Sequence, residues 1–212
     1  VVWLIGQQHG NEPAGGEAML ALAKSLSQGE LAPLLDKLTV VIVPRANPDG
    51  AAANTRDTSA KMDMNRDHVV LALPEVRLLH RAVLELPPDL VIDAHEFSVA
   101  ARWIEKFGAL QAVDLMYLAA THPDIPRTVR DLAETVFYPA LQKATGANGL
   151  ATFLYHTTAT RIEDKSVAMG GNASSIARNA FGLMGALSFL LETRGVGIGL
   201  ESYQRRVATH YI

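Results

Sequence analysis

The chain has 212 residues, is 49% hydrophobic and carries a formal net charge of −3 with no cysteine. This length suits one α/β domain whose core needs no cross-links, and the charge offers no general attraction for nucleic acid or an anionic membrane surface. Without thiols there is no disulfide, thiolate metal site or Cys nucleophile, so any bound metal must be held by His, Asp and Glu, and the compartment is left open. Val1 to Ile5 reads as a buried strand that runs into Gly6-Gln7-Gln8-His9-Gly10-Asn11-Glu12-Pro13. Gly10 permits a tight turn, and Pro13 sits where a helix takes its first residue. His9 and Glu12 lie three apart across that turn and can converge beyond the strand end, where an open α/β sheet places its sites. An imidazole and a carboxylate at that point suit a zinc ion. A simple capping turn, with Asn11 or Glu12 starting the helix and His9 incidental, would use the same residues.

Residues 13–27 are predicted helical, with Met19, Leu22, Ala23 and Leu26 on one face, until Gly29 and Pro33 interrupt. Leu38 to Val43 is a β-branched run without alternation, as in a strand covered on both faces. Pro44 to Gly50 is dense in turn residues. Ala51 to His68 shows no period and reads as a long loop carrying Arg56, Asp63, Asn65, Arg66 and Asp67. Such loops inside compact domains are usually functional, the alternative being a solvated surface excursion. Pro74 to Leu86 is predicted helical and closed by Pro87-Pro88. Leu90-Val91-Ile92 then forms a short buried strand delivering Asp93-Ala94-His95-Glu96, a second histidine at a strand end. Alone, His95 would more often be a hydrogen-bonded core residue than a ligand.

Leu110 to Ala120 and Thr128 to Ala144 carry helical patterns, and Leu150 to Thr158 is a strand candidate. Lys165 to Asn179, with Gly170-Gly171, reads as a loop of the kind that covers a site. Ala186 to Leu191 is a buried run that delivers Glu192-Thr193-Arg194-Gly195. A carboxylate ending such a run is either paired, here with Arg194, or functional, because an unpaired buried charge costs several kcal/mol. Gly199 to Ile212 reads as an amphipathic helix. No apolar run reaches the roughly 18 residues of a membrane span. Val1 already lies inside a strand pattern, without a charged n-region or initiating Met, so residues 1–212 are expected to form one domain cut at one or both ends, with a lost leader or further strands beyond them. The expected fold is a mixed, mostly parallel twisted sheet with helices on both faces.

His9, Glu12, His95 and Glu192 gather at strand ends. Two His and one Glu leave a fourth position open, the pattern of catalytic rather than structural zinc. Glu192 would then be the free carboxylate that moves a proton during amide hydrolysis.

His9-Gly-Asn-Glu12, Asn47-Pro-Asp-Gly50, Asp63-Met-Asn65-Arg66, Asp93-Ala-His95 and Leu191-Glu192-Thr193 occur in an order that resembles the zinc metallocarboxypeptidases of the carboxypeptidase A type. Each motif alone is weak; five in order, each in a suitable strand-end context, are specific. The resemblance implies one zinc held by His9, Glu12 and His95, with Glu192 as general acid/base. Asn65 and Arg66 match the pair that holds a substrate's terminal carboxylate, and a guanidinium grips a carboxylate through two parallel hydrogen bonds. Arg56 matches an arginine that stabilises the oxyanion, and Asp63 a carboxylate that orients the first His ligand.

The sequence departs from the family in lacking a substrate-capping Tyr between Asp164 and Arg178; Tyr155 is the nearest upstream alternative. Arg178, the one cation after Lys165 in that loop, is expected to enter the cleft and favour acidic or small polar substrates. The competing expectation has it capping the next helix or pairing with a surface acid. The substrate implied is a peptide. The neighbouring class resembling succinylglutamate desuccinylase and aspartoacylase, which cleaves N-acyl amino acids, shares the zinc triad, while Asn47-Pro-Asp-Gly50 favours the peptidase. A binding module that has lost catalysis is disfavoured by Glu192. Neither nucleic acid nor a membrane is expected as partner.

Overall fold

The computed structural model describes residues 1–196 and 202–212. Strand β1 (Val2–Gly6) leads into helix α1 (Ala14–Gln28), followed by β2 (Val40–Val43) and the short α2 (Pro48–Ala53). Helix α3 (Pro74–Glu85) precedes the long strand β3 (Leu90–Ser98), α4 (Arg102–Phe107) and β4 (Leu115–Ala119). Helix α5 (Arg127–Leu132) passes through a π-turn, Ala133–Phe137, into α6 (Tyr138–Ala147). Three short strands, β5 (Thr152–Leu154), β6 (Thr157–Thr158) and β7 (Val167–Ala168), precede α7 (Ala177–Leu183), β8 (Leu187–Val196) and α8 (Tyr203–Tyr211). Among the described residues no helix is long and apolar enough to cross a membrane.

The six-stranded sheet has the order β2-β1-β3-β8-β4-β5, and only the β4–β8 pairing is antiparallel. On one face Trp3, Ile5 and Val91 pack against Val76, Leu79 and Val83 of α3 and Phe181 of α7. On the other, Leu4 and Ala94 meet Met19 of α1, with Leu22 and Ile92 beside them. Each large apolar side chain so buried contributes about 1.5–3 kcal/mol. The mixed sheet with helices on both faces is the expected architecture.

Several local expectations change. The span 110–120 is not a helix: Leu115, Met116, Tyr117 and Leu118 are all buried in β4, wedged between β8 and β5. A short apolar run buried on both faces has no period to separate strand from helix, and pairing with β8 decides it. Strand β2 is half-buried along its length, because it is the sheet edge rather than a strand covered on both faces. Within the turn region, Asn47 caps α2 by accepting the Gly50 N–H at 2.9 Å. The loop predicted over 165–179 carries β7, paired with β6, and gives way to α7 at Ala177. Helix α8 begins at Tyr203; Gly199 to Glu201, included in the predicted helix, lie outside the described residues.

Candidate active site

The site grows from the carboxyl ends of β1, β3 and β8. Beyond β1 the chain turns sharply: Gln7 takes φ 56°, a left-handed conformation uncommon for a residue with a Cβ. Its amide donates to Gly10 O at 2.9 Å and accepts from Arg45 Nε at 3.2 Å, which fixes the turn. Gly10 lies against the backbone of Gly50, where a Cβ would come within 2.3 Å of the Gly50 carbonyl oxygen. The His-Gly-Asn-Glu and Asn-Pro-Asp-Gly segments therefore interlock, and Asn47 Nδ2 adds a bond to Gln8 O at 3.1 Å.

His9, Glu12 and His95 are each buried, and their side chains converge. Glu12 Oε1 lies 2.8 Å from His9 Nδ1, Glu12 Oε2 lies 2.8 Å from His95 Nδ1, and the two Nδ1 atoms are 3.1 Å apart. The outer nitrogens face other carboxylates: His9 Nε2 meets Asp63 Oδ1 at 3.1 Å, and His95 Nε2 meets Asp93 Oδ2 at 2.9 Å. An imidazole that donates from Nε2 presents a bare lone pair at Nδ1. Two such lone pairs and a carboxylate aimed at one point repel one another unless positive charge lies between them, so this donor set fits a divalent cation. Electrostatics agree. Burial pushes the Glu12 carboxyl up, but the two imidazoles outweigh it and hold it well below the usual carboxylate range. Burial pulls His95 down, yet Asp93 and Glu12 carry it well above the ordinary imidazole value.

Glu192 stands directly across from His95 in the β3–β8 register. It is half-buried and forms no hydrogen bond or ion pair among the described residues, so pairing with Arg194 is not its role. Burial raises its pKa to about 7, with His95 pulling it down and Glu12 pushing it up. Arg56 is held by Asp63 Oδ2 through Nε at 3.2 Å and Nη2 at 2.8 Å, and its Nη1 reaches 3.2 Å from His9 Nδ1. Asn65 is engaged at both ends of its amide: Oδ1 accepts the Ala177 N–H at 2.8 Å and Nδ2 lies 3.3 Å from His95 Nε2. Arg66 donates through Nη1 to Asn65 O at 2.7 Å and is otherwise exposed to the cleft. Arg178, in α7, faces the same cleft, a cavity of about 520 Å³ that His9, Arg56, Asn65 and Arg66 also line. It is buried rather than on the surface, and it neither caps α7 nor pairs with an acid there.

Further groups border the site, of which Tyr155 was named from sequence as a stand-in for the capping Tyr, whereas Gln8, His68 and His80 were not singled out. Tyr155 borders this cleft and an adjoining cavity of about 240 Å³ containing Glu192. The Glu192 charge, followed by burial, pushes its phenol well above the usual value. Behind His95 runs a chain of hydrogen bonds: Gln8 Nε2 donates to Asp93 Oδ1 at 2.8 Å, Gln8 Oε1 lies 2.8 Å from His68 Nε2, and His68 Nδ1 lies 2.9 Å from His80 Nε2. Asp93 was legible as the residue two before His95 on the same strand face; the partners of Gln8 were not. Burial, followed by His80, lowers the His68 pKa to about 4 against the pull of Asp93 and Asp67. A folded-state pKa below the unfolded value of ~6.5 means that this contribution to stability is complete above pH ~6.5 and is lost as pH falls towards 4. For metal-free protein, unfolding free energies from denaturant titrations at pH 7.5 and pH 4.5 should differ more in the native chain than in His68→Asn, by about 2–3 kcal/mol. Equal pH slopes in the two proteins would contradict the buried neutral His68.

A sequence profile described as zinc carboxypeptidase matches residues 1–72. Carboxypeptidase 2 of Trichophyton equinum is 35% identical over 208 residues, which cover 97% of this chain and 39% of that protein. The chain thus spans about two fifths of the length of the curated relatives it matches. A metallo-carboxypeptidase from Burkholderia cenocepacia superposes with a TM-score of 0.72 at 20% identity, covering 99% of this chain and 54% of that one. A metallo-carboxypeptidase from Pseudomonas aeruginosa, solved with (2-guanidinoethylmercapto)succinic acid, superposes with a TM-score of 0.70 at 22% identity over 99% of this chain and 54% of that one. At these identities the solved structures establish the shared fold.

Proposed function

We propose, because this chain belongs to the zinc carboxypeptidase family, that it is the catalytic region of a metallocarboxypeptidase that hydrolyses the C-terminal amide bond of peptides. The observation that carries this reading is the convergence of His9, Glu12 and His95 on one point with Glu192 in register beside it. One zinc held by those three residues would supply Lewis-acid polarisation of the scissile carbonyl and acidify a water. The protein's own groups do the rest. Glu192 takes the proton from the attacking water and returns it to the leaving amine. A carboxylate with a pKa near neutrality and no competing partner among the described residues suits both halves of that transfer. Arg56, anchored on Asp63 beside the triad, offers its guanidinium to the oxygen that gains charge. Asp63 and Asp93 hold the two imidazoles with their Nδ1 atoms inward.

Arg66, set by the Asn65 carbonyl, meets the free carboxylate of the substrate. Arg66→Ala is expected to lower kcat/KM for peptides with a free C-terminus by an amount on the order of 2–5 kcal/mol. The decisive assay presents the zinc-loaded chain with a peptide, its C-terminal amide and a panel of N-acyl amino acids. Cleavage of the amide as fast as the free acid would exclude this assignment, and turnover confined to the N-acyl amino acids would replace the peptidase with the deacylase.

A further inference from the structure

We infer that Arg178 receives a second carboxylate of the substrate, so that the preferred C-terminal residue is acidic, glutamate or aspartate. This rests on the carboxypeptidase reading and adds a substrate class to it. Two arginines are buried among the described residues, Arg178 and Arg206. Arg206 is neutralised by an ion pair with Glu96. Arg178, only 3% exposed, has no carboxylate within salt-bridge distance among the described residues. Its Nη2 donates to the neutral Gly171 O at 2.5 Å and to Thr121 Oγ1 at 3.3 Å, and its Nε is buried without any acceptor. A desolvated cation in this state is unfavourable until an anion joins it.

The surroundings sharpen the mismatch. Among the described residues the cleft beside Arg178 is lined by four arginines, Arg56, Arg66, Arg102 and Arg178, and by no Asp or Glu, and of these Arg56 is already paired with Asp63. Burial, and then the like charge of Arg66, weaken the hold of Arg178 on its proton, while Tyr155, Glu192 and Asp93 oppose this from a distance. Once Arg66 is assigned to the terminal carboxylate, the positive charge at Arg178 still lacks an anion. A C-terminal Glu or Asp supplies both carboxylates, whereas a terminal Lys or Arg would be repelled. The guanidinium is also pre-positioned. Gly170 takes φ 40°, and a Cβ there would lie 2.8 Å from Arg178 Nη2, so the loop closes onto the arginine only with glycine at this place. Little ordering is therefore left to be done on binding.

The test measures kcat/KM for peptides identical but for a C-terminal Glu, Gln, Leu or Lys. Glu is expected to exceed Gln by about tenfold or more, chiefly through KM, with Lys poorest. In Arg178→Gln the Glu-to-Gln ratio should collapse towards one, and Arg178→Lys should restore part of it. A native ratio near one, or a ratio unchanged in Arg178→Gln while both peptides slow equally, would reduce Arg178 to a pin for the Gly170-Gly171 loop and overturn the inference. Binding is read separately by calorimetry with glutarate and butyrate. Glutarate should bind about tenfold tighter to the native chain, whatever the fate of the variants, and equal affinities would also overturn it. If no peptide is cleaved yet glutarate is preferred, the carboxypeptidase reading fails and the anion site stands.

Discussion

His95→Ala is expected to remove zinc from the protein altogether and, with it, hydrolysis. His95 supplies one of three inward-facing donors, and it alone connects the cage to β3. Its loss leaves Glu12 and Asp93 buried with one neutralising partner fewer, so the variant also loses stability. The two remaining donors, on the single turn after β1, do not make the three-residue set that catalytic zinc requires. Metal content measured on dialysed protein should fall from about one zinc per chain to near zero. Turnover should fall by several kcal/mol in barrier, on the order of 10³-fold or more. A dialysed, folded variant that keeps stoichiometric zinc would place the ligand elsewhere.

Glu192→Gln should behave in the opposite way towards metal and alike towards chemistry. Glu192 takes no part in the His9, Glu12, His95 cage, so zinc content should remain near one per chain. The amide is close to isosteric but can neither accept the proton of the attacking water nor return it. The expected loss in kcat is about 10²–10⁴-fold, with KM little changed. Because burial disfavours the ionised form of Glu192, replacing it by a neutral amide should leave thermal stability unchanged or raised. A variant with full turnover would exclude Glu192 from proton transfer. A variant without zinc would assign it to the cage instead.

Much of this site was legible because its groups sit where strands end. His9, Glu12, His95 and Glu192 each follow an apolar run, and a parallel sheet brings such ends to one rim. Asp63, Asn65 and Arg66 lie in a stretch without period, and only the order of motifs singled them out. The misread element was β4, whose four consecutive buried residues carry no alternation because both of its faces are covered. Arg178 could be placed in the loop region from sequence, but its isolation from counter-charge depends on where α7 begins and on how Gly170 and Gly171 fold back. The Gln8, His68 and His80 contacts join residues 60 and 12 positions apart through side chains alone, and no local pattern encodes them.

Strand β8, the last in sequence of the described strands, occupies the middle of the sheet between β3 and β4. Neither β1, β2 and β3 on one side nor β4 and β5 on the other reaches its counterpart except through it. All three groups of the cage are translated within the first half of the chain, whereas Glu192 arrives with the joining strand. Pairing β8 with β3 closes the loop from Ser98 to Leu187, an entropic demand that rises only with the logarithm of loop length. The proton-transfer group proposed at Glu192 therefore comes beside His9, Glu12 and His95 only when β8 pairs with β3, so a displacement of β8 would part it from the three without altering the strands that carry them.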